Sequence, residues 1–80
     1  MMQVRVLYFA SLRDAAGVAA EQVELATGDL AALYRACAAR HGFAFPQSRM
    51  RVAVGDAFVP WDTPLHEGME AAFIPPVSGG

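Results

Sequence analysis

The residues best suited to chemistry in this sequence are its last four, Val77-Ser78-Gly79-Gly80. Gly79 and Gly80 carry no side chain, so an extended backbone there can pass through a channel too narrow for any Cβ. A terminal glycine also leaves its carboxyl carbon unhindered. Those properties suit a carboxylate that enters a nucleotide-binding site, attacks a phosphate to become an acyl adenylate, and then accepts a nucleophile. Two glycines alone also fit a frayed terminus. Pro75-Pro76 tips the balance: prolines cannot donate to a sheet ladder and fix their own φ, so they end a strand in a stiff stem that carries the tail away from the body.

The usual catalytic residue types elsewhere form no constellation. Cys37 falls on the apolar stripe of a helix with nothing cationic spaced to lower its pKa, and reads as a buried structural thiol. His41 and His66 are isolated, with no metal-ligand spacing, and read as a cap or surface residues. Asp56, Asp62, Glu67 and Glu70 lie in turns as solvated acids, and Gly28, Gly42, Gly55 and Gly68 make no phosphate-binding loop. No metal site is expected.

The elements that must hold the tail follow from periodicity. Met2 to Phe9 alternates as a strand with Val4, Val6 and Tyr8 on one face and Gln3, Arg5, Leu7 and Phe9 on the other. Ser11 is the expected N-cap of a short helical turn, Leu12 to Ala16, closed by Gly17. Glu21 to Leu25 alternates again, with Val23 and Leu25 inward. Leu30, Leu33, Tyr34, Cys37 and Ala38 form the stripe of a long helix, N-capped by Thr27 with Asp29 in its first turn and stopped by Gly42. His41 is expected to meet the carbonyls at that helix end.

Phe43 to Arg49 lacks a period and reads as a loop. Arg51 to Val54 and Ala57 to Val59 flank the hairpin turn Gly55-Asp56. Trp61 to Leu65 reads as a tight irregular turn, and Ala71 to Ile74 as the last strand. Strand, strand, helix, strand, strand, strand is an α+β arrangement of the β-grasp type: a mixed sheet of about five strands, one long helix on one face, and the first and last strands parallel. Residues 1 to 76 form the domain and 77 to 80 a mobile tail. With the helix over Val4, Val6, Tyr8 and Phe73, the residues Leu7, Phe9 and Ile74 remain on the opposite face near the tail, as a partner surface unless the short helix or the Phe43 loop folds over them.

Bulk properties set the limits. Eighty residues make one domain that buries only about 60% of its unfolded surface, too little for a large enclosed active site. With 55% hydrophobic and 18% charged residues, the chain is too apolar for disorder and too interrupted by charge for a membrane span. A net charge of -2 without a basic run disfavours nucleic acid and anionic membranes as partners. The unpaired Cys37 and the lack of a signal-like start predict a cytoplasmic protein.

The segments Val6-Leu7-Tyr8-Phe9-Ala10-Ser11-Leu12-Arg13-Asp14, Val52-Ala53-Val54, Asp62-Thr63-Pro64-Leu65 and, above all, Ala72-Phe73-Ile74-Pro75-Pro76-Val77-Ser78-Gly79-Gly80 resemble the small subunit of molybdopterin synthase, a ubiquitin-like sulfur carrier family of molybdenum cofactor biosynthesis. The resemblance spans nearly the whole chain. It implies that an activating enzyme uses ATP to adenylate Gly80 and that a sulfur donor then converts it to a thiocarboxylate. It further implies that Pro75, Pro76, Val77, Ser78 and Gly79 lead that group into the large subunit, where the sulfur builds the dithiolene. The chain itself would bind no cofactor, and the catalytic groups would belong to the large subunit. A carrier for thiamine or another thiolated product, an inert interaction module, and a protein-conjugating modifier remain alternatives.

Overall fold

The structure, a computed structural model, describes residues 1–76. The expected tail, Val77 to Gly80, lies outside the described residues.

The chain runs β1 (Met2–Tyr8), α1 (Ala10–Ala16), β2 (Ala20–Leu25), α2 (Leu30–His41), a 3-10 turn at Gln47–Arg49, β3 (Arg51–Val54), β4 (Ala57–Phe58) and β5 (Glu70–Ile74). The sheet order is β2-β1-β5-β3-β4. β1 and β5 pair in parallel, and the other neighbours are antiparallel. This is the α+β, β-grasp architecture read from the sequence. β5, which ends at Ile74 just before Pro75-Pro76, is the middle strand of the sheet.

The core follows the alternation. Val4, Val6 and Tyr8 of β1, Val52 of β3, and Ala71 and Phe73 of β5 are buried with Leu30, Leu33, Tyr34 and Cys37 of α2. Phe73 has a Tyr34 ring at 5.1 Å and the Trp61 ring at 5.9 Å. At about 25 cal/mol per Å² of apolar surface removed from water, these side chains supply most of the driving force for a domain this small.

Both helix starts differ from expectation. In α2 the N-cap is Asp29, not Thr27: Asp29 Oδ1 accepts from Ala32 N at 3.0 Å. The two preceding amides bond to a distant segment, Leu30 N to Thr63 O and Ala31 N to Trp61 O. The free donors at this helix start are therefore satisfied largely by tertiary contacts, which moves the start past Thr27. In α1, Ser11 lies inside the helix and Phe9 takes the cap position with no side-chain hydrogen bond. Both C-terminal stops are as read, with Gly17 and Gly42 left-handed at φ 79° and 70°.

Candidate functional site

β5 delivers the chain to Pro75 from the centre of the sheet. Pro75 is buried and Pro76 half-buried, so the stem is seated in the domain. Leu7 and Ile74 are half-buried, lie on the face away from α2, and stand outside the core cluster. Phe9 is 46% exposed. Both segments expected as covers send an apolar side chain to the core side. Leu12 of α1 is in the core, and Phe43 packs on the core side, its ring 5.5 Å from that of Tyr8.

Register shows how that open face is organised. Leu7 stands beside Ala20 on one side and Ala72 on the other, Ala72 beside Ala53, and Ala53 beside Phe58, making one apolar row across all five strands. Ile74 stands beside Arg51 in the neighbouring row, towards the tail. On the other side of the apolar row the surface turns polar, with Arg5 paired to Glu70 at 3.4 Å and Gln3 bonded to Glu24. Phe58, at 60% exposure, and Arg51 were not singled out by sequence reading. Strand parity places Arg51 opposite the buried Val52, but their neighbours depend on the β3–β5 register.

On the helix side, Glu21 is the second group that sequence reading missed. Its carboxylate accepts from Tyr8 Oη and from Arg40 Nη1 at 3.2 Å, and lies 2.5 Å from His41 Nε2. Burial alone would raise its pKa. The hydrogen bonds from Tyr8 and His41, with the His41 and Arg40 charges, outweigh that and hold it below the usual carboxylate range. His41 therefore meets a carboxylate and a Tyr8 ring edge 5.6 Å away, in place of the helix-end carbonyls expected of it. The available signal was parity, since Glu21 shares a face with the buried Val23. These contacts tie α2 to β1 and β2 and serve stability.

Burial pushes the Cys37 thiol up, which suppresses the thiolate and its reactivity. Burial also raises Tyr8, with its hydrogen bonds to Cys37 and Glu21 acting the same way. Among the described residues no group of His, Cys, Asp and Glu could hold a metal ion, and no helix is long and apolar enough to cross a membrane. A cleft of about 140 Å³ between β2 and α2, lined by Val23, Glu24, Leu25, Ala36, Cys37 and Arg40, is smaller than ordinary ligand pockets. The described body thus presents an open apolar face beside a rigid stem.

Comparison with known proteins agrees with this geometry. The model of the ThiS family matches residues 6–80. The molybdopterin synthase sulfur carrier subunit of Escherichia coli is 36% identical over 80 residues, covering 96% of this chain and 99% of that protein. A putative molybdopterin converting factor subunit 1 from Pyrococcus furiosus has a similar structure, with TM-score 0.80, 29% identity, and 96% and 100% of the two chains covered. Subunit 1 in a complex of subunits 1 and 2 of the molybdopterin-converting factor from Helicobacter pylori shares the fold at TM-score 0.69 and 24% identity, covering 99% and 100%.

Proposed function

The chain belongs to the ThiS family, and from that premise we propose that it is the sulfur carrier subunit of a molybdopterin synthase, with Gly80 as the group that is loaded. The observation that carries this reading is the match through residue 80, together with 36% identity to a curated sulfur carrier along nearly its whole length.

The chemistry proceeds at the carboxyl carbon of Gly80. A carboxylate oxygen attacks the α-phosphate of ATP in the activating enzyme, pyrophosphate leaves, and an acyl adenylate forms. Sulfur delivered by the donor at the hydrosulfide level then attacks the carbonyl carbon, the bond from that carbon to the AMP oxygen breaks, and a thiocarboxylate, AMP and a proton result. Glycine suits both steps because no Cβ crowds the carbonyl. Pro75 and Pro76 set the direction of the tail, and Val77, Ser78 and Gly79 span a channel in the large subunit, where the sulfur is donated towards the dithiolene. ATP serves the activating enzyme, and this chain holds no cofactor of its own. The cycle is a cytoplasmic one.

Leu7, Phe9 and Ile74 form the docking surface for the large subunit. Their half-exposed apolar area beside the stem supports this role, because docking there buries apolar surface and aims the tail in one event.

Intact mass spectrometry after incubation with ATP, the cognate activating enzyme and a sulfur donor tests the reading. Exchange of one oxygen for sulfur, mapped to Gly80, is the expected result. A chain that never gains sulfur refutes it. Capture of a thiazole-forming synthase, or covalent adducts on lysines of other proteins, transfers the function to one of the rival readings. Adding one residue after Gly80 abolishes loading and leaves the melting temperature unchanged.

A further inference from the structure

Arg51 is a cation placed among apolar neighbours on the open sheet face. It is exposed, its cross-strand partner is Ile74, and its guanidinium carbon lies 5.4 Å from the Phe58 ring centroid. Two other arginines of the body are committed, Arg5 to Glu70 and Arg40 to Glu21. Arg51 makes no salt bridge among the described residues. The acidic strand residues on the same face of the sheet, Glu70 of β5 and Glu24 of β2, stand on the far side of the apolar row, Glu70 held by Arg5 and Glu24 bonded to Gln3.

Stacking on Phe58 lays the Arg51 side chain across the face and reduces the rotamer freedom it has left to lose when a partner arrives. Any protein that covers Leu7, Ile74 and Phe58 removes water from Arg51 as well. A guanidinium, always charged, cannot shed its proton to escape that, so it requires an acceptor from the partner. Its planar fork matches a carboxylate bidentately.

Resting on the reading that this face docks the synthase large subunit, we infer that Arg51, stacked on Phe58, is the charge-selecting residue of the face and that the partner presents an Asp or Glu carboxylate to it. The apolar row supplies area that many partners could cover, whereas an acid opposite Arg51 distinguishes the right one and penalises a basic surface.

The test is titration calorimetry of the full chain against the large subunit from the same source, at about 0.1 M and about 1 M salt. Arg51→Glu weakens binding by about tenfold or more at the lower salt, and the gap narrows at the higher one. Arg51→Lys retains part of the affinity, and exchanging the opposing acid on the large subunit for Arg restores binding to Arg51→Glu. Melting temperatures equal to wild type show that the exposed position leaves the fold intact. Wild-type affinity in both Arg51→Glu and Arg51→Leu overturns the inference while sulfur loading and docking stand. Failure of the wild-type chain to bind removes the docking reading and this inference with it.

Discussion

Replacing Glu21 by Gln separates the stability of the body from the chemistry proposed for the tail. The Glu21 side chain is 18% exposed and His41 is 14% exposed, so their contact is largely shielded from water, whereas Arg40 is 58% exposed and contributes little. Hydrogen bonds to charged groups each contribute about 1.5–3 kcal/mol. Gln keeps one carbonyl acceptor but turns an NH2 group towards the remaining donors, so a loss of about 2 kcal/mol is expected. For a domain of this size that is a large share of a total of about 4–12 kcal/mol, and the melting temperature falls by about 8–16 °C.

The pH dependence has a definite sign. The folded pKa of Glu21 lies below its unfolded value because the hydrogen bonds and positive neighbours outweigh burial. Its contribution is then complete above the unfolded pKa, about 4.3, and is lost as pH falls through the folded one. Urea unfolding followed by Trp61 fluorescence at pH 7 and in steps below pH 4 measures the gap between wild type and Glu21→Gln. The gap should be about 2 kcal/mol at pH 7 and shrink in acid. A gap under about 0.5 kcal/mol at pH 7, or one that persists unchanged into strong acid, refutes the reasoning. Sulfur loading of the folded variant should equal wild type.

Three further outcomes are expected. Phe73→Ala removes a fully buried ring held against Tyr34 and Trp61 and costs about 3–5 kcal/mol, read by circular dichroism melting. Ala10→Gly, at φ 50° the one non-glycine residue with positive φ among the described residues, relieves backbone strain and raises the unfolding free energy measured in urea by about 0.5–1 kcal/mol, against the helix-propensity ranking. Leu7→Asp places a charge in the apolar row and abolishes large-subunit binding in a pull-down assay, while stability changes by less than about 1 kcal/mol because Leu7 lies outside the core cluster.

Much of the fold was legible where one strand or helix carries its own signal. The alternation of Val4, Val6 and Tyr8 and the stripe Leu30, Leu33, Tyr34 and Cys37 each select a face by a period of two or about 3.6 residues, and burial follows directly. Gly17 and Gly42 announce the helix stops because a left-handed residue is needed there. The end of β5 before Pro75-Pro76 and the parity that sends Leu7 away from the helix were legible in the same way. Helix starts were less legible. Thr27 and Asp29 are both good caps in isolation, and only the carbonyls of Trp61 and Thr63 arriving from elsewhere decide between them.

The sequence by itself thus determined the parts: which residues face inward, where helices stop, and that Pro75-Pro76 ends the last strand. Tertiary structure alone decided which parts meet. Arg51 acquired Phe58 and Ile74, and Glu21 acquired Tyr8, Arg40 and His41, through strand register and helix docking that join residues far apart in the chain. A local period is written within a few neighbouring residues, whereas a register is settled by the summed packing of the whole sheet, so no short segment contains it.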